Sequence, residues 1–320
     1  MKVTLLNTFF APEGADFGRL EKVCDLTMYS NSRGLPDEEV IARIGDAQIV
    51  CTLEMSRSVM EKAPNLKAIC TNSTGFNYID LQAADELGIT VCNNPTYGTY
   101  AVAQHAMALL LSLTNRIAWQ DQMVREGKWN ECSAAVKKAP SYELSGLTCG
   151  ILGFGRIGPI FGQMAKGRGM KVIAYDAYPN ERGRQIAEYV SLDELYARSD
   201  VISVHCPMTE ETAHIINKDS IAKMKDGAIL LNVSRGGLQV DADIAQALKS
   251  GKLGGCGLDV SDPEPVRADD PLLSASNCLI TPHNAWCTAA AKQRMLDGVI
   301  DNIIAVIEGH PQCVVNHPGK

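Results

Sequence analysis

The chain has 320 residues, 46% of them hydrophobic and 21% charged, with a net charge of −7. That length suits two domains of ordinary size, and that hydrophobic content excludes global disorder. The acidic balance argues against nucleic acid as a partner, and no apolar run reaches the roughly 18–20 residues that a membrane-spanning helix needs.

Short β-rich runs alternate with helical patterns along the whole chain. Strands are predicted at 2–6, 48–53, 68–72, 90–93, 148–153, 171–176, 201–205, 228–233, 255–260 and 278–281. The opening residues read as the first of these strands, not as a signal peptide. Many runs are apolar on both faces, as strands of a helix-covered parallel sheet should be. Helices are predicted at 80–87, 241–250 and 288–308, and one long helix over 99–126 precedes a polar stretch at 126–143. This is βαβ architecture twice over, hence an α/β chain of two doubly wound parallel-sheet domains. The segments 95–99 and 284–288 read as the crossings between domains. Residues 1–98 and 288–320 then form a discontinuous, flavodoxin-like substrate domain. Residues 99–287 form a Rossmann domain inserted in it. The cleft between two such domains is a usual ligand site.

Eleven scattered cysteines without a CxxC pair read as reduced cytosolic thiols, and no metal-ligand spacing appears.

The predicted strand 148–153 runs into Gly153-Phe-Gly155-Arg-Ile-Gly158, which opens a helical pattern over 156–170. The next strand ends in Asp176, about 20 residues on, as the dinucleotide fingerprint requires. Gly153 permits a tight turn, Gly155 lets a pyrophosphate approach the backbone, and Gly158 lets helix and strand pack closely. The helix N-terminus offers free N–H groups to the phosphates. Asp176 can bind ribose hydroxyls and would repel a 2′-phosphate, and no Arg or Lys occupies 177–180, so NAD is the expected cofactor.

Three later segments each end a predicted strand, where ligands bind in open α/β sheets. They contribute Arg235, Glu264 and His283. The guanidinium can hold a substrate carboxylate and polarise the adjacent carbonyl. The imidazole can exchange a proton with the substrate oxygen, and the nearby carboxylate can support the imidazolium. That set suits 2-hydroxy acid chemistry.

Residues 73–80, 101–105, 150–158, 205–207, 232–236, 258–265 and 281–283 together resemble the D-isomer-specific 2-hydroxyacid dehydrogenase family over essentially the whole chain. The resemblance places Arg235, Glu264 and His283 on the family's catalytic positions. It implies that backbone amides of Ser73, Thr74 and Gly75 meet the substrate carboxylate. It also implies that Asp259 holds the nicotinamide carboxamide, that Cys206 and Pro207 line the adenine pocket, that Arg156 and Ile157 reach the pyrophosphate, and that Thr212 and Val233 lie near the cofactor. Members are usually cytoplasmic homodimers, with the helix after Thr99 at the interface. Glu264 stands where formate dehydrogenases of this fold carry Gln, which argues for ketoacid reduction. The run His283-Asn-Ala-Trp286 is similar to that of glycerate dehydrogenases and hydroxypyruvate reductases and assigns Trp286 to the substrate. The expected reaction is reduction of hydroxypyruvate or glyoxylate to D-glycerate or glycolate by NADH. The alternatives are a D-lactate or other D-2-hydroxyacid dehydrogenase, and a non-catalytic NAD-binding co-repressor-like scaffold.

Overall fold

A computed structural model describes residues 1–138 and 141–319. The chain divides into two compact units, Met1–Gly98 with the segment from Cys287 on, and Thr99–Trp286.

The first unit is built on a parallel five-stranded sheet: β1 (Lys2–Leu5), β2 (Asp25–Met28), β3 (Ile49–Cys51), β4 (Ala68–Cys70) and β5 (Thr90–Cys92). The spatial order is β2-β1-β3-β4-β5, the flavodoxin-like arrangement. Between the strands run α1 (Gly18–Glu21), α2 (Asp37–Ile44), α3 (Arg57–Glu61) and α4 (Leu81–Glu86). Val50, Ile69 and Val91 project from the sheet onto Val59, Met60, Ala83 and Ala84 of α3 and α4. Asp80 starts α4 by accepting the Ala83 amide at 2.8 Å.

The second unit begins with α5 (Thr99–Asn115), α6 (Ile117–Arg125) and α7 (Trp129–Lys138). Its seven strands are β6 (Thr148–Leu152), β7 (Lys171–Tyr175), β8 (Glu188–Tyr189), β9 (Val201–Val204), β10 (Ala228–Asn232), β11 (Leu253–Leu258) and β12 (Cys278–Ile280). They are all parallel, in the order β12-β11-β10-β9-β6-β7-β8. The chain reverses its winding direction between β6 and β9, which makes a topological switch point at their C-terminal ends. Helices α8 (Ile157–Lys166), α9 (Glu181–Arg184), α10 (Leu192–Arg198), α11 (Lys218–Lys223) and α12 (Asp241–Ser250) connect them. One face of the sheet packs on α5 and α8 through Leu110, Leu113, Ile151, Phe161 and Leu231. The other packs on α10 to α12 through Leu195, Ile202, Ile221, Leu230 and Ile244.

The chain then returns to the first unit in α13 (Ala289–Ile307), capped by Thr288. Buried asparagines lock it there. Asn94 Nδ2 donates to the Met295 carbonyl at 2.9 Å, and Asn302 Nδ2 to the Asn93 carbonyl at 2.8 Å. Among the described residues no helix is long and apolar enough to cross a membrane, and no group of three metal-ligating side chains assembles.

The differences from the sequence expectation have local causes. The single helix expected over 99–126 is two helices. Arg116 adopts a left-handed φ of 52° between them. Thr114 Oγ1 bonds back to the Leu110 carbonyl and Asn115 Nδ2 to the Leu111 carbonyl, so side chains satisfy the last turn and the helix ends. The polar stretch after it contains α7, and Ala139 and Pro140 lie outside the described residues. The strands β2 and β8 were not predicted. Both are sheet edges, and β2 is largely exposed, so neither shows a two-sided apolar pattern. β11 begins two residues early, within a glycine-rich run whose register slips beside Ala228 and Ile229.

Phe161 is wholly buried between α8 and the sheet. Phe161→Ala should lower the stability of the Thr99–Trp286 unit by about 3–5 kcal/mol, read as an earlier midpoint in urea unfolding.

Candidate active site

The predicted strands of this unit overran by one or two residues at their C-terminal ends, and the overrun residues after β6 and β9, Gly153 and His205, stand at the switch point. Gly153 leaves β6 with a φ of +91°. A Cβ there would stand 2.3 Å from the Cys206 nitrogen and 2.7 Å from the His205 carbonyl carbon. A Cβ on Gly158 would stand 2.5 Å from the Gly153 carbonyl oxygen. Both glycines are therefore required by protein packing. Gly155 differs, because nothing lies within 4 Å of where its Cβ would be. Arg156 is the N-cap of α8, and its side chain makes no capping bond. An open cradle thus precedes the N-terminus of a ten-residue helix, a shape and polarity that fit a dinucleotide pyrophosphate. Ile157 is the first residue of that helix.

Asp176 follows β7, and its two carboxylate oxygens accept the Phe154 amide at 2.6 Å and the Tyr178 amide at 2.8 Å. Each oxygen retains a lone pair for a ribose hydroxyl. Cys206 presses its backbone against Gly153, and burial pushes its thiol up to about 12, so it is no nucleophile. Thr212 Oγ1 donates to the Pro207 carbonyl at 2.8 Å and pins the loop after β9. His205 is neutral, because burial pushes it down to about 3, and its Nε2 meets Ser203 Oγ at 2.8 Å.

The Arg235 loop leaves β10 at Asn232. Asn232 is fully buried, and its Nδ2 donates to the Arg235 carbonyl and to Gln239 Oε1, both at 2.9 Å. Gln239 Nε2 in turn donates to Asp241 Oδ1 at 2.7 Å. Ser234 Oγ donates to the Val204 carbonyl, and Val233 is buried beneath the loop. Gly236 is forced by a close approach, since a Cβ there would lie 2.1 Å from the Ser261 carbonyl oxygen. The Arg235 loop is thereby pressed onto the loop that carries Glu264.

Glu264 Oε2 and His283 Nδ1 are 2.7 Å apart. Burial raises the Glu264 carboxyl, but the bond and charge of His283 and the charge of Arg235 outweigh it and hold the group below its ordinary 4.5. A carboxylate at Nδ1 makes that nitrogen the donor, so Nε2 is the atom available to exchange a proton with a ligand. His283 sits at a φ of +50°. The buried carboxylate of Asp259 stitches its loop, accepting Thr281 Oγ1 at 2.6 Å, the Asn284 amide at 3.0 Å and the Ala285 amide at 2.8 Å. Trp286 Nε1 donates to the His283 carbonyl at 3.1 Å. His105 reaches from α5 to this loop, with Nε2 2.9 Å from Thr281 Oγ1. His105 closes the 101–105 segment of the family resemblance, which gave it no role, and Gln239 lies in no such segment; the fold brings both to these loops.

Ser73, Thr74 and Gly75 lie in the other unit. Ser73 Oγ donates to the Gly75 carbonyl, Thr74 Oγ1 to the Asn94 carbonyl at 3.0 Å, and Asn93 Nδ2 to the Thr74 carbonyl at 2.8 Å. Hydroxyls and carbonyls are committed by these bonds and the Ser73 amide donates to Thr71 Oγ1 at 3.3 Å, so the Thr74 and Gly75 amides are the groups of this loop suited to an anion.

Residues 107–285 match the family described as D-isomer specific 2-hydroxyacid dehydrogenase, NAD binding domain. The chain is 44% identical to a hydroxypyruvate reductase of Blautia hydrogenotrophica over 99% of its own length and 100% of that protein. It is 35% identical to a glyoxylate reductase of Korarchaeum cryptofilum, over 99% of this chain and 96% of that one. Among solved structures, D-lactate dehydrogenase from Aquifex aeolicus, complexed with NAD and lactic acid, superposes with a TM-score of 0.83 at 30% identity, covering 97% of this chain and 96% of that one.

The glycine geometry separates binding from folding. Gly155→Val should melt close to the wild type yet bind NADH about tenfold or more weakly in a fluorescence titration. Gly158→Val should instead lose about 1–3 kcal/mol of stability from overpacking.

Proposed function

We propose that this chain, which belongs to the D-isomer specific 2-hydroxyacid dehydrogenase family, reduces hydroxypyruvate or glyoxylate to D-glycerate or glycolate. It is an NAD-dependent oxidoreductase acting on CH–OH groups. The observation that carries the proposal is the 2.7 Å Glu264–His283 pair within reach of the Arg235 charge, in the same unit as a glycine turn open at Gly155. The full-length likeness to a hydroxypyruvate reductase supports the choice of substrate.

Bound NADH supplies the hydride that reduces C2 of the ketoacid. Arg235 binds the substrate carboxylate and polarises the carbonyl. His283 donates its Nε2 proton to the carbonyl oxygen while Glu264 stabilises the imidazolium through Nδ1. Gly153, Gly155, Arg156, Ile157 and Gly158 take the pyrophosphate, and Asp176 takes the adenosine ribose. Cys206, Pro207, Thr212, Val233 and Asp259 complete the cofactor contacts. The amides at Ser73, Thr74 and Gly75, in the Met1–Gly98 unit, serve the substrate, as does the ring of Trp286 in the Thr99–Trp286 unit. The exposed side chains of Ile117, Val124 and Trp129 on α6 and α7 support a homodimer joined through this helical region. Eleven free cysteines support a cytoplasmic location.

The test is NADH oxidation with hydroxypyruvate, glyoxylate, pyruvate, bulkier 2-ketoacids and 3-phosphohydroxypyruvate, repeated with NADPH. Hydroxypyruvate or glyoxylate with NADH should give the highest kcat/KM. Preference for pyruvate would make the chain a D-lactate dehydrogenase, and no turnover by protein that binds NADH would favour a scaffold. Arg235→Ala should lower kcat/KM by about thirtyfold or more, from the loss of a charge-assisted pair. Because the Glu264 carboxyl is held low, its support for His283 is present above pH 4.5 and is lost only as pH falls through the lowered value. The acid limb of kcat/KM for reduction should therefore lie below pH 4.5 and should be absent in Glu264→Gln.

A further inference from the structure

The loop bearing His283 contains one peptide group gripped at both ends. The His283–Asn284 peptide gives its N–H, on Asn284, to Asp259 Oδ1 at 3.0 Å. Its C=O, on His283, takes the indole N–H of Trp286 at 3.1 Å. The residue immediately before this peptide is His283 itself, at a φ of +50°. A side chain with a Cβ adopts that conformation at a cost and holds it only when its surroundings impose it. The easiest relief is rotation of the adjoining peptide group, which would swing the imidazole away from Glu264. On the upstream side the loop is already fixed: the Thr281 amide donates to the Leu258 carbonyl at 2.9 Å, and the His283 amide to the Thr281 carbonyl at 3.0 Å. The downstream carbonyl is the remaining handle, and Trp286 holds it.

We propose that Trp286 is a positioning residue for His283, acting through that histidine's main-chain carbonyl. The proposal rests on the reading of His283 as the proton donor. It gives the indole N–H a task separate from any contact the ring makes with substrate. With the N–H removed, the peptide is gripped only by Asp259, and the imidazole spends less time 2.7 Å from Glu264. Substrate and NADH still bind, but fewer bound complexes are ready to react. The loss therefore falls on kcat and not on KM.

The experiment compares the full-length enzyme with Trp286→Phe and with Trp286 replaced by 3-benzothienylalanine, which keeps the indole shape and has sulfur in place of N–H. Steady-state reduction of hydroxypyruvate and glyoxylate is measured at saturating NADH, with NADH affinity and melting temperature as companion readings. The expected result is that both variants lose about tenfold in kcat, the loss of one hydrogen bond, while NADH affinity in both, and KM in the benzothienyl variant that keeps the ring shape, stay within about twofold. The proposal is overturned if the benzothienyl variant keeps kcat within about twofold of the wild type, since shape alone then suffices. It is also overturned if the loss appears in KM and grows with the size of the ketoacid, which would make the ring a substrate contact only. His283→Gln is run alongside. If it retains turnover, the reading of His283 fails and this proposal with it. If it loses turnover while the Trp286 variants keep theirs, the positioning role alone fails.

Discussion

The carboxylate of Asp259 is the fixed point on which the chemistry depends. It is 1% exposed, and a buried charge of that kind is tolerated only when donors surround it. The donors here are the Thr281 hydroxyl and two consecutive backbone amides, with His105 Nε2 3.7 Å away. Satisfying the charge therefore requires the chain to fold the 281–285 segment around it. That segment carries His283. The main chain of Asp259 works in the other direction, because its amide donates to the Asn232 carbonyl at 2.9 Å and ties the end of β11 to the end of β10. One residue thus couples the loop of the imidazole to the strand that launches the guanidinium.

The Arg235 side follows the same logic with neutral groups. Asn232 and Gln239 are buried amides that spend their hydrogen-bonding capacity on one another, on Asp241 and on the Arg235 carbonyl. Buried amides bonded in this way favour one backbone path. Gly236 then allows that path to touch Ser261, close to Glu264. The three functional side chains are held by backbone contacts between their loops, while their own polar ends stay partly exposed for substrate.

Much of this was legible in the sequence because its physical signals are local. Apolar runs marked ten of the twelve strands among the described residues, and the glycine spacing marked the tight turn between β6 and α8. Arg235, Glu264 and His283 could be singled out because each lies past the C-terminal end of a predicted strand. The remainder was not legible for equally physical reasons. Edge strands such as β2 lack a buried second face. The break at Arg116 depends on how Thr114 and Asn115 side chains compete for carbonyls, which composition alone does not reveal. His105, Gln239 and the indole N–H of Trp286 act on loops distant from them in sequence or through backbone atoms, so no spacing rule reports them. Asp259 was read as a cofactor ligand through a family resemblance. Its observed bonds add a structural role that resemblance did not suggest.

The central claim is that His283 transfers the proton. Chemical rescue tests it most directly: His283→Ala is assayed for hydroxypyruvate reduction with and without added imidazole, with NADH binding measured in parallel. The account predicts that the variant binds NADH, turns over about a hundredfold or more slowly than the wild type, and regains rate in proportion to imidazole. A variant that turns over at the wild-type rate without imidazole would contradict it.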